Sequence, residues 1–128
     1  MSSEPSFREL TAWERQILDR LVQANFPGRD EVAEQMKNCL VRTLDEHGCL
    51  EFDIRTDLKV PIVRGIPVEA EGRDDDGVQI CVLLHVVDGK VKELEIFKVD
   101  GSPMLRMPKA SELDVFVLPP RKLPLKLN

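Results

Sequence analysis

The stretch that decides the fold is VQICVLLHVVDGKVKELEIFKV, which runs from Val78 to Val99. It contains two β-prone runs around Asp88-Gly89, and an Asp-Gly step in that position is a strong hairpin signal because glycine adopts positive φ without strain. The first run is almost entirely apolar, which predicts a central position in a sheet. Two further Asp-Gly steps stand twelve residues to either side, at Asp76-Gly77 and Asp100-Gly101. The C-terminal half is therefore predicted to be mainly antiparallel sheet.

The register of this hairpin determines which side chains are buried. A two-residue loop would place Leu84 opposite Glu93, whereas an odd-length loop with Gly89 as a bulge residue would place it opposite residue 92 or 94. Since only the odd loop keeps apolar side chains together, we predict the odd loop. The predicted buried face then carries Ile80, Val82, Leu84, Val86, Leu94 and Ile96. The predicted solvent face carries His85, Glu93 and Glu95.

Two helices are predicted before the sheet. Thr11 and Glu14 have the spacing of a capping box, and the apolar stripe that follows at helical spacing contains Trp13, Ile17, Leu18, Leu21 and Val22. Phe26-Pro27-Gly28 should end this helix. Asp30 is predicted to cap a second, shorter helix that stops near Asn38. Its inward-facing residues are predicted to be Val32, Ala33 and Met36.

The remaining strands are predicted from alternation and turn residues. Residues 39–44 and 49–54 flank Asp45-Glu46-His47-Gly48, which predicts a hairpin with Gly48 in the left-handed conformation. A third strand is predicted to begin near Ile66 and to direct Glu69 and Glu71 to solvent. Short strands are also predicted at residues 104–107 and 115–118.

These elements predict one α+β domain, with two N-terminal helices packed on a mostly antiparallel sheet of about five to six strands. The domain should span residues 10–118, between a flexible N-terminus (1–9) and a basic, proline-containing tail (119–128). Residues 56–67 are predicted to form a surface connection. A winged helix is the rival interpretation, but its recognition helix should be basic, and residues 30–38 are mainly acidic.

Composition argues against several classes of function. The net charge of −5 disfavours nucleic-acid binding, since an acidic surface repels phosphates. No apolar run approaches the ~18 residues that a membrane span needs, and residues 1–10 do not have the pattern of a signal peptide. Three cysteines without C-x-x-C spacing (Cys39, Cys49 and Cys81) indicate reduced thiols and a cytoplasmic protein.

Two motifs could carry chemistry, and each has a simpler interpretation. Asp74-Asp75-Asp76-Gly77 suggests calcium binding, but an EF-hand needs Glu six residues after the glycine and this sequence has Leu83 there. We predict a solvated turn, no metal site and no cofactor. His85 could form an acid–base pair with Glu93 or Glu95, yet an ordinary surface ion pair is the favoured interpretation because no other catalytic group is indicated.

The predicted solvent face of the sheet is the surface that suggests a function. Its acidic residues are Glu69, Glu71, Glu93 and Glu95, and Glu51 and Asp53 join them if the first hairpin extends the same sheet. Exposed sheet faces are often charged, and Lys90, Lys92 and Lys98 interrupt the patch. Such a face could nevertheless dock a cationic protein, because complementary charge speeds association and selects partners. We therefore predict Glu69, Glu71, His85, Glu93 and Glu95 as binding residues.

The sequence resembles a group of small bacterial α+β proteins known only as a domain of unknown function. The resemblance covers roughly residues 7–108. It rests on residues 10–21, on Val68-Glu69-Ala70-Glu71 with Asp76-Gly77, and on residues 92–96 followed by Gly101 and Pro108. It implies a small, soluble, cytoplasmic protein, and some proteins of this kind are immunity partners of bacterial toxins.

Three functional hypotheses follow from these observations. The first is a non-enzymatic protein-interaction module, with an immunity-type inhibitor of a basic toxin as one form of it. The second is a small hydrolase or ligand-binding domain that uses His85 with Glu93 or Glu95. The third is a homodimeric structural domain that associates through an uncovered sheet face or edge.

Overall fold

The computed structural model describes residues 5–61 and 65–117, and it confirms the predicted α+β class. Two helices pack on one face of a six-stranded antiparallel sheet with the strand order β1-β2-β5-β4-β3-β6. The elements are α1 (Ala12–Val22), α2 (Arg29–Met36), β1 (Leu40–Thr43), β2 (Leu50–Asp53), β3 (Val68–Arg73), β4 (Gln79–Val87), β5 (Lys90–Lys98), a single 3-10 turn (Ala110–Glu112) and β6 (Asp114–Val117). The predicted basic tail, residues 119–128, lies outside the described residues.

Helix α1 begins as predicted. The Thr11 side chain accepts a hydrogen bond from the Glu14 N–H, and the Glu14 carboxylate accepts one from the Thr11 N–H. The apolar stripe then buries Ile17, Leu18 and Leu21 completely or nearly so in the core. The capping box thus sets the start of the helix and the stripe sets the face that packs on the sheet.

The start of α2 differs from the prediction. Gly28, with φ of 88°, is the N-cap, and no side chain caps the helix. The helix begins two residues earlier than expected, directly after the Phe26-Pro27-Gly28 turn, so Asp30 lies inside the first turn and the prediction of it as the cap is wrong. The predicted inward position of Ala33 is also only half-buried, and Gln35 is buried instead.

The first hairpin forms where it is predicted, with Gly48 in the left-handed conformation. Thr43 pairs with Leu50, the Leu44 N–H donates to the Cys49 carbonyl oxygen, and Gly48 has φ of 93°. This hairpin forms one edge of a six-stranded sheet. A winged helix has only a two- or three-stranded wing, so the winged-helix interpretation is wrong.

The β4–β5 hairpin has the predicted faces but not the predicted loop. Val87 pairs with Lys90, so the loop is the two residues Asp88 and Gly89, both with positive φ. The pairing shifts after Val86–Val91, and Lys92 is the extra residue of a β-bulge. The predicted odd loop is therefore wrong: Asp-Gly suits the tight two-residue turn, and the bulge restores the alternation that burial demands.

The sheet is completed on either side of this hairpin. Strand β4 lies between β5 and β3, which confirms its central position, while β2 pairs with β5 and β6 pairs with β3. Residues 99–113 carry the chain from β5 across to the far edge. No strand forms at residues 104–107, so that prediction is wrong; β6 begins one residue before the predicted strand at 115.

The predicted solvated turn at Asp74-Asp75-Asp76-Gly77 is wrong for its first residue. The Asp74 side chain is fully buried, and its carboxylate accepts hydrogen bonds from the Lys98 ammonium group and from the Leu105 and Arg106 N–H groups. Lys98 also contacts Asp76 at 2.6 Å and the Pro103 carbonyl oxygen at 3.1 Å. This cluster fastens the crossing segment to the β3–β4 turn.

The N-terminal segment contacts the domain before residue 10. The Arg8 and Val41 backbones exchange two hydrogen bonds of 2.7 Å each, so residue 8 lies along the open edge of β1. The Arg8 guanidinium also forms a two-point ion pair with Glu14. This arrangement covers one of the two sheet edges. None of the described helices has the length and apolarity needed to cross a membrane.

Candidate functional site

The outer sheet face is the side of β3, β4 and β5 that points away from the helices. All five predicted binding residues lie on it: Glu69, Glu71, His85, Glu93 and Glu95. The alternate residues of the same strands, such as Val82 and Leu84, are buried beneath the helices. The face exists because the alternation of these strands, interrupted in β5 by the bulge at Lys92, directs every second side chain outward.

Carboxylates flank an apolar centre on this face. Leu83 of β4 lies between Glu69 on β3 and Glu95 on β5, and the next position along β4, Cys81, lies between Glu71 and Phe97. Neighbouring strands are about 4.8 Å apart, so the carboxylates of one row are separated by roughly twice that distance across the leucine. The arrangement has an apolar middle and a charged border.

His85 makes its hydrogen bond diagonally across the hairpin. Its Nε2 lies 2.8 Å from Glu95 Oε1, although its backbone partner on β5 is Glu93. Of the two predicted partners, the structure therefore brings His85 together with Glu95. Both side chains remain partly exposed, at 29% and 38%. The contact holds the Glu95 carboxylate over β4.

Three carboxylates of the outer sheet face have no ion-pair or hydrogen-bond partner among the described residues: Glu69, Glu71 and Glu93. Glu51 on the neighbouring strand behaves differently, since it binds both Arg42 and Lys92. Hydrogen bonds from Lys92 and Arg42 lower the pKa of the Glu51 carboxyl. The negative charge of the face is consequently concentrated on β3 and β5 rather than on β2.

The thiol of Cys81 reports the electrostatic character of this face. Burial raises the pKa of the Cys81 thiol, and the negative charges of Glu71, Glu69 and Glu95 raise it further. A group at the middle of the face therefore lies in the negative potential of these glutamates, which disfavours the binding of an anion there. The same potential favours a cation.

The lysines interrupt the patch less than the sequence suggests. Lys98 points to the other side of the sheet, where its ammonium group is 1% exposed and bound to Asp74 and Asp76. Lys92, the bulge residue, reaches sideways to Glu51. Neither ammonium group therefore neutralises the carboxylates that border the centre of the outer sheet face.

Sequence reasoning did not include the apolar members of the face. Leu83 and Phe97 are half-buried and lie among the carboxylates. A signal for them was available, because the near-continuous apolar run of β4 places apolar residues at outward positions as well as inward ones. The run was interpreted only as a sign of a central strand.

The cleft beside α1 and the acidic turn are less suited to binding a ligand than the outer sheet face is. A cleft of about 630 Å³ lies between α1 and the 3-10 turn, lined by Gln16, Asp19, Arg20, Lys109 and Ser111 among others. The Arg20 guanidinium is held by the Leu113 carbonyl oxygen at 2.9 Å. Within the described residues no three potential ligands are grouped to hold a metal ion, and Lys98 supplies the positive charge between Asp74 and Asp76.

Comparison with known proteins identifies the family. No curated protein and no solved structure matches the chain significantly. One family model, described as a domain of unknown function (DUF6984), matches residues 7–108. The matched region contains both helices and strands β1 to β5, and so the whole of the outer sheet face. The chain belongs to the DUF6984 family.

Proposed function

We propose that this protein is a non-enzymatic protein-interaction module whose outer sheet face binds a positively charged partner protein. The observation that carries the proposal is the set of three carboxylates, Glu69, Glu71 and Glu93, that lack a partner among the described residues and lie on the two strands that flank the half-buried Leu83. Protein interfaces commonly combine an apolar centre with a polar rim.

The chemistry of the face specifies the kind of partner. Lysine and arginine side chains combine an apolar stem with a charged end, so a basic segment can lay its stems on Leu83 and Phe97 while its charges reach the carboxylates. Unpaired carboxylates attract such a segment over several ångströms and raise the association rate. Inhibition of a basic toxin, in the manner of immunity proteins, is one form that this binding can take.

Co-purification from the native host tests the proposal. The face variant carries Glu69→Gln and Glu93→Gln, and the matched control carries Glu31→Gln and Glu46→Gln, which remove the same charge away from the face. We expect one basic protein to be recovered in stoichiometric amount with the wild type and the control, and at least tenfold less of it with the face variant.

The identity and affinity of the recovered protein complete the test. Mass spectrometry should identify a protein with a basic isoelectric point, and its purified form should bind more weakly as the salt concentration rises. Recovery that is equal for the face variant and the control would refute the assignment to the outer sheet face. Recovery of the wild type as a lone protein under mild conditions would refute the proposal as a whole.

A second candidate function rests on the His85–Glu95 hydrogen bond. A histidine held by a carboxylate can act as an acid–base pair in a hydrolase or ligand-binding domain. Neither residue lines the cleft between α1 and the 3-10 turn, so a substrate would have to lie on the open sheet. If an activity is found, His85→Ala should abolish it, and unchanged turnover would remove this candidate.

A further inference from the structure

The cleft between α1 and the 3-10 turn differs from the outer sheet face in the sign of its charge. The glutamates of the outer sheet face disfavour an anion, so for an anion the order of the two sites is reversed. The cleft has a volume of about 630 Å³, within the ~300–1,000 Å³ that is typical of small-molecule sites. Its lining lies entirely within the described part of the chain, at residues 16–23 and 109–111. The described chain ends at Val117, at the opposite end of β6 from this cleft.

Two cationic side chains line the cleft, Arg20 of α1 and Lys109 just before the 3-10 turn. Neither of them forms an ion pair with a carboxylate of the described residues. Asp19 also lines the cleft, so the lining carries two positive charges and one negative charge in a chain whose net charge is −5. Because salt screens charges that are more than about 10 Å away, these nearby groups set the local potential. That potential attracts a small anion.

Arg20 is held in place but is not saturated with acceptors. One of its terminal amino groups donates to the Leu113 carbonyl oxygen at 2.9 Å, whereas its Nε is buried without a hydrogen-bond partner. A guanidinium group carries five N–H donors in a rigid plane and pairs well with the oxygens of phosphate or carboxylate. A buried N–H without an acceptor costs free energy, and an oxygen of a ligand would remove that cost.

The rest of the lining is polar and uncharged or accepts hydrogen bonds. Residues 16, 19, 20 and 23 are spaced i, i+3, i+4 and i+7, so they form one face of α1 and its C-cap. Gln16 and Gln23 therefore lie on either side of Arg20 along the helix, and Ser111 faces them from the 3-10 turn. Amide, hydroxyl and carboxylate groups bind hydroxyl groups well. The lining, all of it described, contains no aromatic side chain that a base or ring could stack on.

We propose that this cleft binds a small phosphorylated polyol, the class to which sugar phosphates belong. Arg20 and Lys109 bind the phosphate, and Gln16, Asp19 and Gln23 bind the hydroxyl groups. A phosphate monoester carries about 1.5 to 2 negative charges at pH 7, which two cations match better than they match a single carboxylate. The inference goes beyond the proposed function, because the cleft and the outer sheet face lie on different sides of the sheet.

Calorimetric titration of the full chain tests the class of ligand. The probes are glycerol 3-phosphate, ribose 5-phosphate and glucose 6-phosphate, and the comparison compounds are glucose, citrate and inorganic phosphate. We expect at least one of the three probes to bind with a Kd below about 1 mM, and each comparison compound to bind at least tenfold more weakly. Failure of all three probes to bind at about 10 mM would overturn the proposal. Equal binding of citrate or of inorganic phosphate would overturn the assignment to phosphorylated polyols.

Substitutions test the location of the site. Arg20→Gln and Lys109→Gln should each weaken the best probe at least tenfold, and Arg15→Gln is the matched control because Arg15 is exposed on α1 outside the cleft. The outer-face variant, Glu69→Gln with Glu93→Gln, should bind the probe as the wild type does, which separates this result from that of the proposed function.

Two further measurements keep the test of location decisive. Circular dichroism checks the fold of every variant, and Lys109→Gln alone decides if Arg20→Gln does not fold without its bond to Leu113, because Lys109 is exposed. Nuclear magnetic resonance of the wild type should show the largest shift changes at residues 16–23 and 109–111. Unchanged affinity of Lys109→Gln, or shift changes confined to other segments, would refute binding in this cleft.

Discussion

Lys98 illustrates how a single charged residue can decide local structure. By sequence it belongs to a strand that alternates with glutamates, yet its side chain is buried and its ammonium group contacts two carboxylates and one carbonyl oxygen. Carboxylate and carbonyl oxygens are ligands that hard cations take, and here the ammonium group is the cation that they bind. The Asp74-Asp75-Asp76-Gly77 motif, which suggested a metal site, therefore takes part in a buried ion pair with Lys98.

The first prediction concerns the loss of that ammonium group. Lys98→Met should lower the thermal midpoint by on the order of 10 °C, because the Asp74 charge remains buried without its cationic partner. Lys90→Met on the same strand is the control and should change the midpoint little. Thermal unfolding followed by circular dichroism measures both, and equal midpoints would contradict a stabilising role for the cluster.

The second prediction concerns pH. Burial opposes ionisation of Asp74, but hydrogen bonds from the Leu105 N–H, from Lys98 and from two further N–H groups outweigh it and hold the pKa of the carboxyl well below its usual range. The ionised group therefore stabilises the fold above the unfolded-state pKa of about 3.9, and this stability is lost as the pH falls below it. Denaturant unfolding should show that Asp74→Asn loses less stability between about pH 5 and pH 2 than the wild type does. Parallel curves would contradict this.

The third prediction concerns the thiols. Cys49 is buried, and burial raises its pKa to about 12, while its Sγ lies 3.2 Å from the Ile96 carbonyl oxygen. Cys39 is also buried, whereas Cys81 is half-exposed. Iodoacetamide at pH 8 should therefore label Cys81 first in the native protein and all three cysteines after denaturation, as read by mass spectrometry. Early labelling of Cys49 would contradict the buried environment.

At the scale of elements, α2 is joined to the sheet by one polar side chain. Gln35 is 1% exposed; its amide nitrogen donates to the Leu58 and Gly89 carbonyl oxygens, and its oxygen accepts from the Val91 N–H. One residue thus ties the helix, the connection after β2 and the β4–β5 turn. These bonds add to the burial of Val32 and Met36 in positioning the short helix.

The fourth prediction follows from this contact. Gln35→Met keeps the volume but removes three hydrogen bonds, one of them to the buried Val91 N–H, and we expect a loss of about 3 kcal/mol in the free energy of unfolding. Gln16→Met, at an exposed position of α1, should change it by less than about 0.5 kcal/mol. Denaturant titration measures both values. A loss at Gln35 no larger than at Gln16 would contradict the bridging role.

At the scale of the whole molecule, the N-terminal segment closes the β1 edge of the sheet. The fifth prediction is that a chain beginning at Leu10 forms larger assemblies than the full chain, because the β1 edge is then open. Arg8→Gln retains the backbone bridge to Val41 and loses the Glu14 ion pair, so it should be less stable without added association. Light scattering distinguishes these outcomes, and an unchanged mass for the shortened chain would contradict edge protection.

Local patterns were sufficient for most of the architecture. The capping box at Thr11, the stripe of α1, the Gly48 hairpin and the alternation of β3 to β5 follow from nearest-neighbour conformational preferences and from the burial of every second side chain. The outward direction of Glu69, Glu71, His85, Glu93 and Glu95 was predictable for the same reason.

Only the tertiary structure decided the features that join distant segments. The burial of Asp74 depends on its contacts with residues 98 and 105. The bulge at Lys92 results from the balance between turn geometry and core packing. His85 binds Glu95 rather than Glu93 because of the direction of the side chains across a twisted hairpin. The sequence by itself thus determined the α+β class and the acidic face, because both arise from local periodicity. The fold alone determined which charges are buried and paired and which remain available, because pairing depends on residues brought together from far along the chain.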